Sequence, residues 1–225
     1  MEFKSPYVAP TLTVDAIVFQ LNGKVLEVCL IKRSKDPFKD SWALPGGYAA
    51  QGETTEKSLQ SVVNRKAGID VQKDLTYLEQ LYTFDTVARD PRGHAVSVTY
   101  MGCGLNIQPT GGSEQTSFFS VDDLPQLAYD HKDIIAYARE RLSAKLTYTN
   151  AVYGLLPKKF TLTQLQTAYE AVFGRELDKR NFRKKFLSLG LIHETNEMFR
   201  EGAHRPAKLY AFNSTKLESL SRSFD

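Results

Sequence analysis

Two runs rich in β-branched and apolar residues open the chain, Thr11 to Phe19 and Val25 to Ile31, and predict a pair of strands. Asn22-Gly23 between them suits the left-handed dihedrals of a tight hairpin turn. A loop punctuated by Pro37, Asp40, Pro45, Gly46 and Gly47 spans Arg33 to Tyr48. The apolar spacing then becomes helical: Leu59, Val62 and Val63 predict a helix from Thr54 or Thr55 to Ala67, with Gly68 as its stop. Tyr77 to Tyr82 and Ala95 to Leu105 alternate like strands, and Phe118 to Ser120 reads as another after the Gly111-Gly112 turn. Asp133 to Leu142 is helical, with Ile134, Tyr137 and Ala138 on one face. Strands interleaved with helices make the first 145 residues α+β.

From about Thr147 the pattern changes. Leu165, Ala168, Tyr169 and Val172 form a stripe at helical spacing, with Thr163 as the expected N-cap and Gly174 as the stop. Asp178 caps a second helix that runs to about Leu189 and ends at Gly190. Two strand-like segments follow, Leu191 to Phe199 and Pro206 to Asn213, joined by residues 200–205. Helix, turn, helix and hairpin is the order of a winged helix-turn-helix. The expected division is therefore 1–146 and 147–225.

At 225 residues, with 42% hydrophobic and 24% charged residues, the chain suits two unequal globular domains. No apolar run approaches the ~18 residues that cross a bilayer. Met1 to Pro10 lacks the charged-then-apolar pattern of a signal peptide, and a cytoplasmic location is expected. Cys29 and Cys103 sit in apolar runs and match no metal-ligand spacing. The net charge of +3 is unevenly spread. Residues 1–150 carry 16 Lys and Arg against 18 Asp and Glu, a net −2, whereas 151–225 carry 13 against 8, a net +5. A basic C-terminal part suits either a polyanion partner or a solvated charged face.

The second C-terminal helix favours the first reading. Phe182, Phe186 and Leu189 share a narrow arc, while Arg180, Asn181, Lys184 and Ser188 fall opposite and Lys179, Arg183 and Lys185 flank them. No acidic residue interrupts 179–189. Arg and Lys can bond guanine, Asn can bond adenine, and flanking cations can hold phosphates. The expected DNA contacts are Lys179, Arg180, Asn181, Arg183 and Lys184, with Arg200, His204 and Arg205 at the wing tip and Lys208 behind it. The chain has no zinc-ligand spacing and no aromatic RNA-binding pattern.

Gly47, Glu53 and the segment from Ser61 to Ile69 resemble the Nudix box, a glycine and a glutamate followed by a helix bearing metal-binding glutamates. Val62, Arg65 and Lys66 stand in the three places of that helix where the family has glutamate. Those positions share one helix face, and hard divalent cations need carboxylate oxygens there. Hydrolysis of the family's kind is therefore not expected, and no catalytic or metal-binding residue is assigned. Binding can persist, because Arg65 and Lys66 can neutralise a diphosphate directly. Arg89 and Arg92 are further phosphate candidates, and Arg33, Lys35, Phe38 and Glu53 are expected in the same cleft. Tyr82 and Phe84 read as base-stacking or core residues.

Residues 80–85, 89–93, 118–120, 124–131 and 205–212 together resemble the Nudix-related transcriptional regulators of NAD metabolism. That resemblance implies an α+β fold, an α/β/α Nudix sandwich followed by a winged helix-turn-helix. It further implies a homodimeric repressor of NAD biosynthesis genes that binds a palindromic double-stranded operator. It would be released by ADP-ribose or a related nucleotide and need no cofactor. The alternative is an ADP-ribose pyrophosphatase-like hydrolase with displaced metal ligands.

Overall fold

The computed structural model describes residues 8–200, 206–214 and 216–220. Its centre is a mixed sheet. The strands are β1 (Thr11–Asn22), β2 (Val25–Lys32), β3 (Trp42–Ala43), β4 (Gly46–Tyr48), β5 (Leu75–Phe84), β6 (Ala95–Gly104) and β7 (Gln115–Ser120). Their order is β3-β2-β1-β6-β5, with β4 added on β1 and β7 on β2. The pairing of β1 with β6 is parallel and the others are antiparallel. The first hairpin turns one residue later than the Asn22-Gly23 reading. Asn22 pairs with Val25, leaving Gly23 and Lys24 as the turn, with Gly23 at φ 60°. A glycine first in a two-residue loop takes that dihedral without steric cost.

Side chains of successive strand residues point to opposite faces, and the sheet is covered on both. Val14, Ala16 and Val18 of β1, with Cys29 and Ile31 of β2, pack on one side against Leu59, Val62 and Val63. These belong to α1 (Thr55–Ala67), which begins at the side-chain cap of Thr54 and ends at left-handed Gly68. A short α2 (Val71–Asp74) follows it. Ile17, Phe19, Val28 and Leu30 face the other side, toward Ile134, Ala138, Leu142 and Leu146 of α3 (His131–Tyr148). This helix is longer at both ends than the apolar spacing of 133–142 indicates. His131 is buried at its start and Leu146 in its last turn.

A 3-10 turn (Ala151–Leu155) leads into α4 (Leu162–Phe173), α5 (Lys179–Ser188) and the two-stranded hairpin of β8 (Ile192–Phe199) and β9 (Ala207–Phe212). The N-cap of α4 is Thr161, not Thr163: Thr161 and Gln164 form a reciprocal capping box. The apolar stripe Leu165, Ala168, Tyr169 and Val172 continues the core of α3, with Phe182 and Phe186 beyond it. One hydrophobic cluster thus runs from the sheet through α3 into the helix-turn-helix. No helix among the described residues is long and apolar enough to cross a membrane.

Candidate functional site

A cleft of about 460 Å³ opens where β1, β4, the C-terminal turn of α1 and the start of α3 meet. Arg33, Lys35, Arg65, Lys66, Arg89 and Arg92 all line it, facing Asp15, Asp36, Asp90 and Glu114. The sequence separates these cations by up to 59 positions, yet the fold gathers them in one place.

Their states differ. Lys66 reaches from α1 to β4, and its Nζ donates to the Gly46 carbonyl at 2.6 Å. Burial, then the neighbouring Arg33, pulls the Lys66 pKa below its ordinary value; Glu114 and Asp15 oppose that shift and Arg65 adds to it. Arg65 and Lys35 have no ion pair among the described residues. Arg89 is engaged: it donates to both carboxylate oxygens of Asp130 at 2.9 and 2.8 Å, and Asp15 lies 3.9 Å away. With only 5% of its side chain exposed, Arg89 is first a strut between β1 and the N-cap of α3. Arg92 forms a two-bond pair with Asp90 at 2.9 and 2.6 Å. It also donates to the Tyr48 hydroxyl at 2.9 Å, and its outer part remains accessible.

Arg33 braces the loop that follows β2. Its Nε donates to the Pro37 carbonyl at 2.8 Å, and its guanidinium lies 5.0 Å from the Tyr129 ring centre. Tyr129, at φ 56°, also meets Phe38 edge-on at 4.8 Å and His131 at 5.2 Å. Phe38 therefore supports a wall of the cleft from behind. His131 is buried, and its Nδ1 accepts the Leu44 N–H at 2.9 Å. Burial lowers its pKa, so the neutral ring carries its proton on Nε2.

Two cleft expectations change, because neither Phe38 nor Glu53 is among the lining residues. Glu53 is outside the cleft lining; its carboxylate accepts from Ser58 Oγ at 3.1 Å and pairs with Lys57 at 3.5 Å, bracing the start of α1. As for the two readings of Tyr82 and Phe84, neither ring reaches the cleft; both meet Tyr137 of α3, Phe84 edge-on and Tyr82 tilted, in a separate aromatic group. Phe84 packs on the core, whereas Tyr82 is exposed. Tyr48, Tyr129, His131, Asp15 and Glu114 line the cleft without having been singled out. Their signal is spatial: each acquires its role from partners distant in sequence.

The box helix does not offer a cage for a divalent cation. Val62 is buried against Gly47, and the Lys66 ammonium already occupies the Gly46 carbonyl. Among the described residues no three carboxylate, His or Cys side chains converge as a metal site. The donor set present does not fit the hard oxygen ligands that magnesium or manganese require.

The second candidate surface is α5. Asp178 caps it by accepting from the Asn181 N–H at 2.8 Å. Phe182 and Phe186 are buried, while Lys179, Arg180, Asn181, Lys184 and Ser188 are exposed. Arg180 and Lys184 have no acidic partner among the described residues. Arg183 is turned back and donates to Thr163 of α4 at 2.9 Å, so it holds the two helices together. Arg200 is exposed where β8 ends, and Lys208 pairs with Glu194 across the hairpin. His204 and Arg205 lie outside the described residues.

Comparison with known proteins accounts for both halves. A Nudix domain family matches residues 9–138, and the NrtR DNA-binding winged helix domain matches 152–212. The chain belongs to the Nudix-related transcriptional regulator family. It is 36% identical, over 93% of its length and 84% of the relative's, to an ADPR-responsive transcriptional repressor of Acinetobacter baylyi. The fold also matches Shewanella oneidensis NrtR solved with a 27mer DNA, with TM-score 0.81, 31% identity, and coverage of 95% of this chain and 99% of that one. The Nudix domain of that regulator, solved with ADP ribose, aligns at TM-score 0.53 and 33% identity over 62% of this chain and 94% of its own. An ADP-ribose pyrophosphatase of Methanocaldococcus jannaschii is 35% identical over 57% of this chain and 73% of its own length. This family therefore joins a Nudix module shared with hydrolases to a DNA-binding module.

Proposed function

We propose that this chain represses NAD biosynthesis genes as a DNA-bound dimer and leaves its operator when ADP-ribose, or a closely related nucleotide, fills the Nudix cleft. In this reading the cleft binds its ligand without cleaving it. The observation that carries this is the box helix itself. Arg65 and Lys66 bring positive charge to a cleft in which Arg89 and Arg92 already have carboxylate partners and Arg33 is bonded to the Pro37 and Lys35 carbonyls. Lys35, Arg65 and Lys66 are the cations left to meet a diphosphate, and its charge is matched without a metal. The exposed Arg180, Asn181 and Lys184 supply the complementary surface for a major groove.

A single winged helix makes few base contacts, which favours a two-fold site read by two copies. Release then requires that ligand bind one domain arrangement more tightly than the other. The test is selection of bound duplex from a random pool, with and without ADP-ribose. A palindromic site lost on adding ADP-ribose is expected, and equal recovery in both arms would remove the effector. Incubation with ADP-ribose and Mg²⁺ is expected to release no AMP. Turnover abolished by Glu53→Gln would instead favour the hydrolase reading.

A further inference from the structure

Helix α3 runs from the cleft to α4, and beside the apolar packing between these two helices Arg139 bonds the C-terminal carbonyls of α4. At the N-terminal end of α3, Asp130 holds Arg89 and His131 lines the cleft. Eight residues further on, about 12 Å along the helix, Arg139 reaches from α3 toward α4. Its Nε donates to the Val172 carbonyl at 3.2 Å and its Nη2 to the Ala171 carbonyl at 3.3 Å. Its Nη1 is held by Asp122 at 2.5 Å, in the segment after β7. Val172 and Ala171 belong to the last turn of α4, whose carbonyls have no partner within the helix. A guanidinium there both caps the helix and complements its negative end. Gly174 leaves the room: a Cβ on it would lie 2.8 Å from Arg139 Nη2.

The seam around this contact is only partly closed. A crevice of about 300 Å³ runs beside it, lined by Lys24, Asp122, Glu170 and Arg175 among others. Apolar packing deeper in the seam is non-directional, whereas three hydrogen bonds from one planar group fix an angle.

We propose that Arg139 is the positioning residue that couples the nucleotide cleft to DNA affinity, by locking the C-terminus of α4 to α3 and to Asp122. This rests on the reading of the chain as a ligand-released DNA binder. Arg139 is outside the cleft lining and off α5, so its loss is expected to change the transmission between the two surfaces. Removing it leaves the α4 carbonyls to solvent, and the helix-turn-helix then no longer follows a shift of α3.

The full chain tests this. ADP-ribose affinity is measured by calorimetry, and affinity for the selected duplex is measured with and without saturating ADP-ribose. Arg139→Ala is expected to bind ADP-ribose within about twofold of the parent, while the ratio of the two DNA affinities shrinks about fivefold or more. Arg139→Lys keeps the charge but not the planar fork, so an intermediate ratio is expected. Asp122→Asn, which leaves the carbonyl bonds in place, gives a smaller loss and serves should Arg139→Ala fail to fold. A merely stabilising role would lower the melting temperature and leave the ratio unchanged, and that result overturns the proposal. If the parent itself shows no ADP-ribose effect on DNA binding, the functional reading falls. The latch is then judged by amide hydrogen exchange: faster exchange of α4 and α5 in Arg139→Ala upholds its positioning role, and unchanged exchange overturns it.

Discussion

Arg180 and Lys184 are the side chains on which DNA recognition should turn, because they project from α5 opposite its buried rings. Each alanine substitution is expected to weaken operator binding by about 1–3 kcal/mol with an unchanged melting temperature. Phe186→Ala, by contrast, removes a fully buried ring that stacks on Phe182 and meets Tyr169 edge-on, and should cost about 3–5 kcal/mol of stability in denaturant titrations. His131 gives a pH signature. Burial lowers its pKa from 6.5; Asp15 and Asp130 pull it back up, and Arg89 and Arg33 push it further down. The unfolded chain therefore takes a proton that the folded chain refuses, and stability falls as pH drops below about 6.5. Melting temperatures between pH 8 and pH 5 should show this fall, with a shallower slope in His131→Asn. At this scale the sequence conveyed residue type better than residue state. Six of the eight cleft candidates line the cleft, but nothing local to Arg89 announces Asp130, 41 positions away, as its partner.

Elements were legible where their signals are local. The helix 55–67, its left-handed glycine, and the Asp178 cap of α5 follow from adjacent residues. Thr163 was the natural cap for a stripe beginning at Leu165, yet Leu162 already lies in the helix and packs on the core. The Thr-x-x-Gln spacing of 161–164 is the stronger signal, since it satisfies two backbone donors reciprocally. Thr161→Ala is expected to destabilise the C-terminal part by about 1 kcal/mol, measured by chemical denaturation. Thr163 serves instead to anchor Arg183. The parallel pairing of β1 with β6 had no local signature, because it joins strands more than 80 positions apart.

For the whole molecule, the change in pattern near residue 147 marks a change of motif more than a break in packing. Helix α3 runs to Tyr148, and the cluster that starts at Ile17 and Phe19 continues to Phe182 and Phe186. Shared apolar burial of this kind makes partial unfolding costly. Scanning calorimetry of the full chain is accordingly expected to show one cooperative transition, and two well-separated peaks would contradict the shared core. On the proposed function, this continuity is what would let a nucleotide at the start of α3 bear on α4.

The contact between Lys66 and the Gly46 carbonyl has a consequence for what a sensor built on this cleft would measure. A hydrolase that relies on a dissolved divalent ion has its affinity for diphosphates tied to the concentration of that ion. On the proposed function, Lys66 is a counter-ion tethered to the chain and present at fixed stoichiometry. Bringing an anion to Lys66 also raises a pKa that burial had lowered, so ligand and proton uptake are linked. ADP-ribose affinity is therefore expected to be the same in EDTA and in millimolar Mg²⁺, and to weaken at alkaline pH. On the proposed reading, the response of such a protein to its metabolite is calibrated by its own side chains and is insensitive to fluctuations in free magnesium.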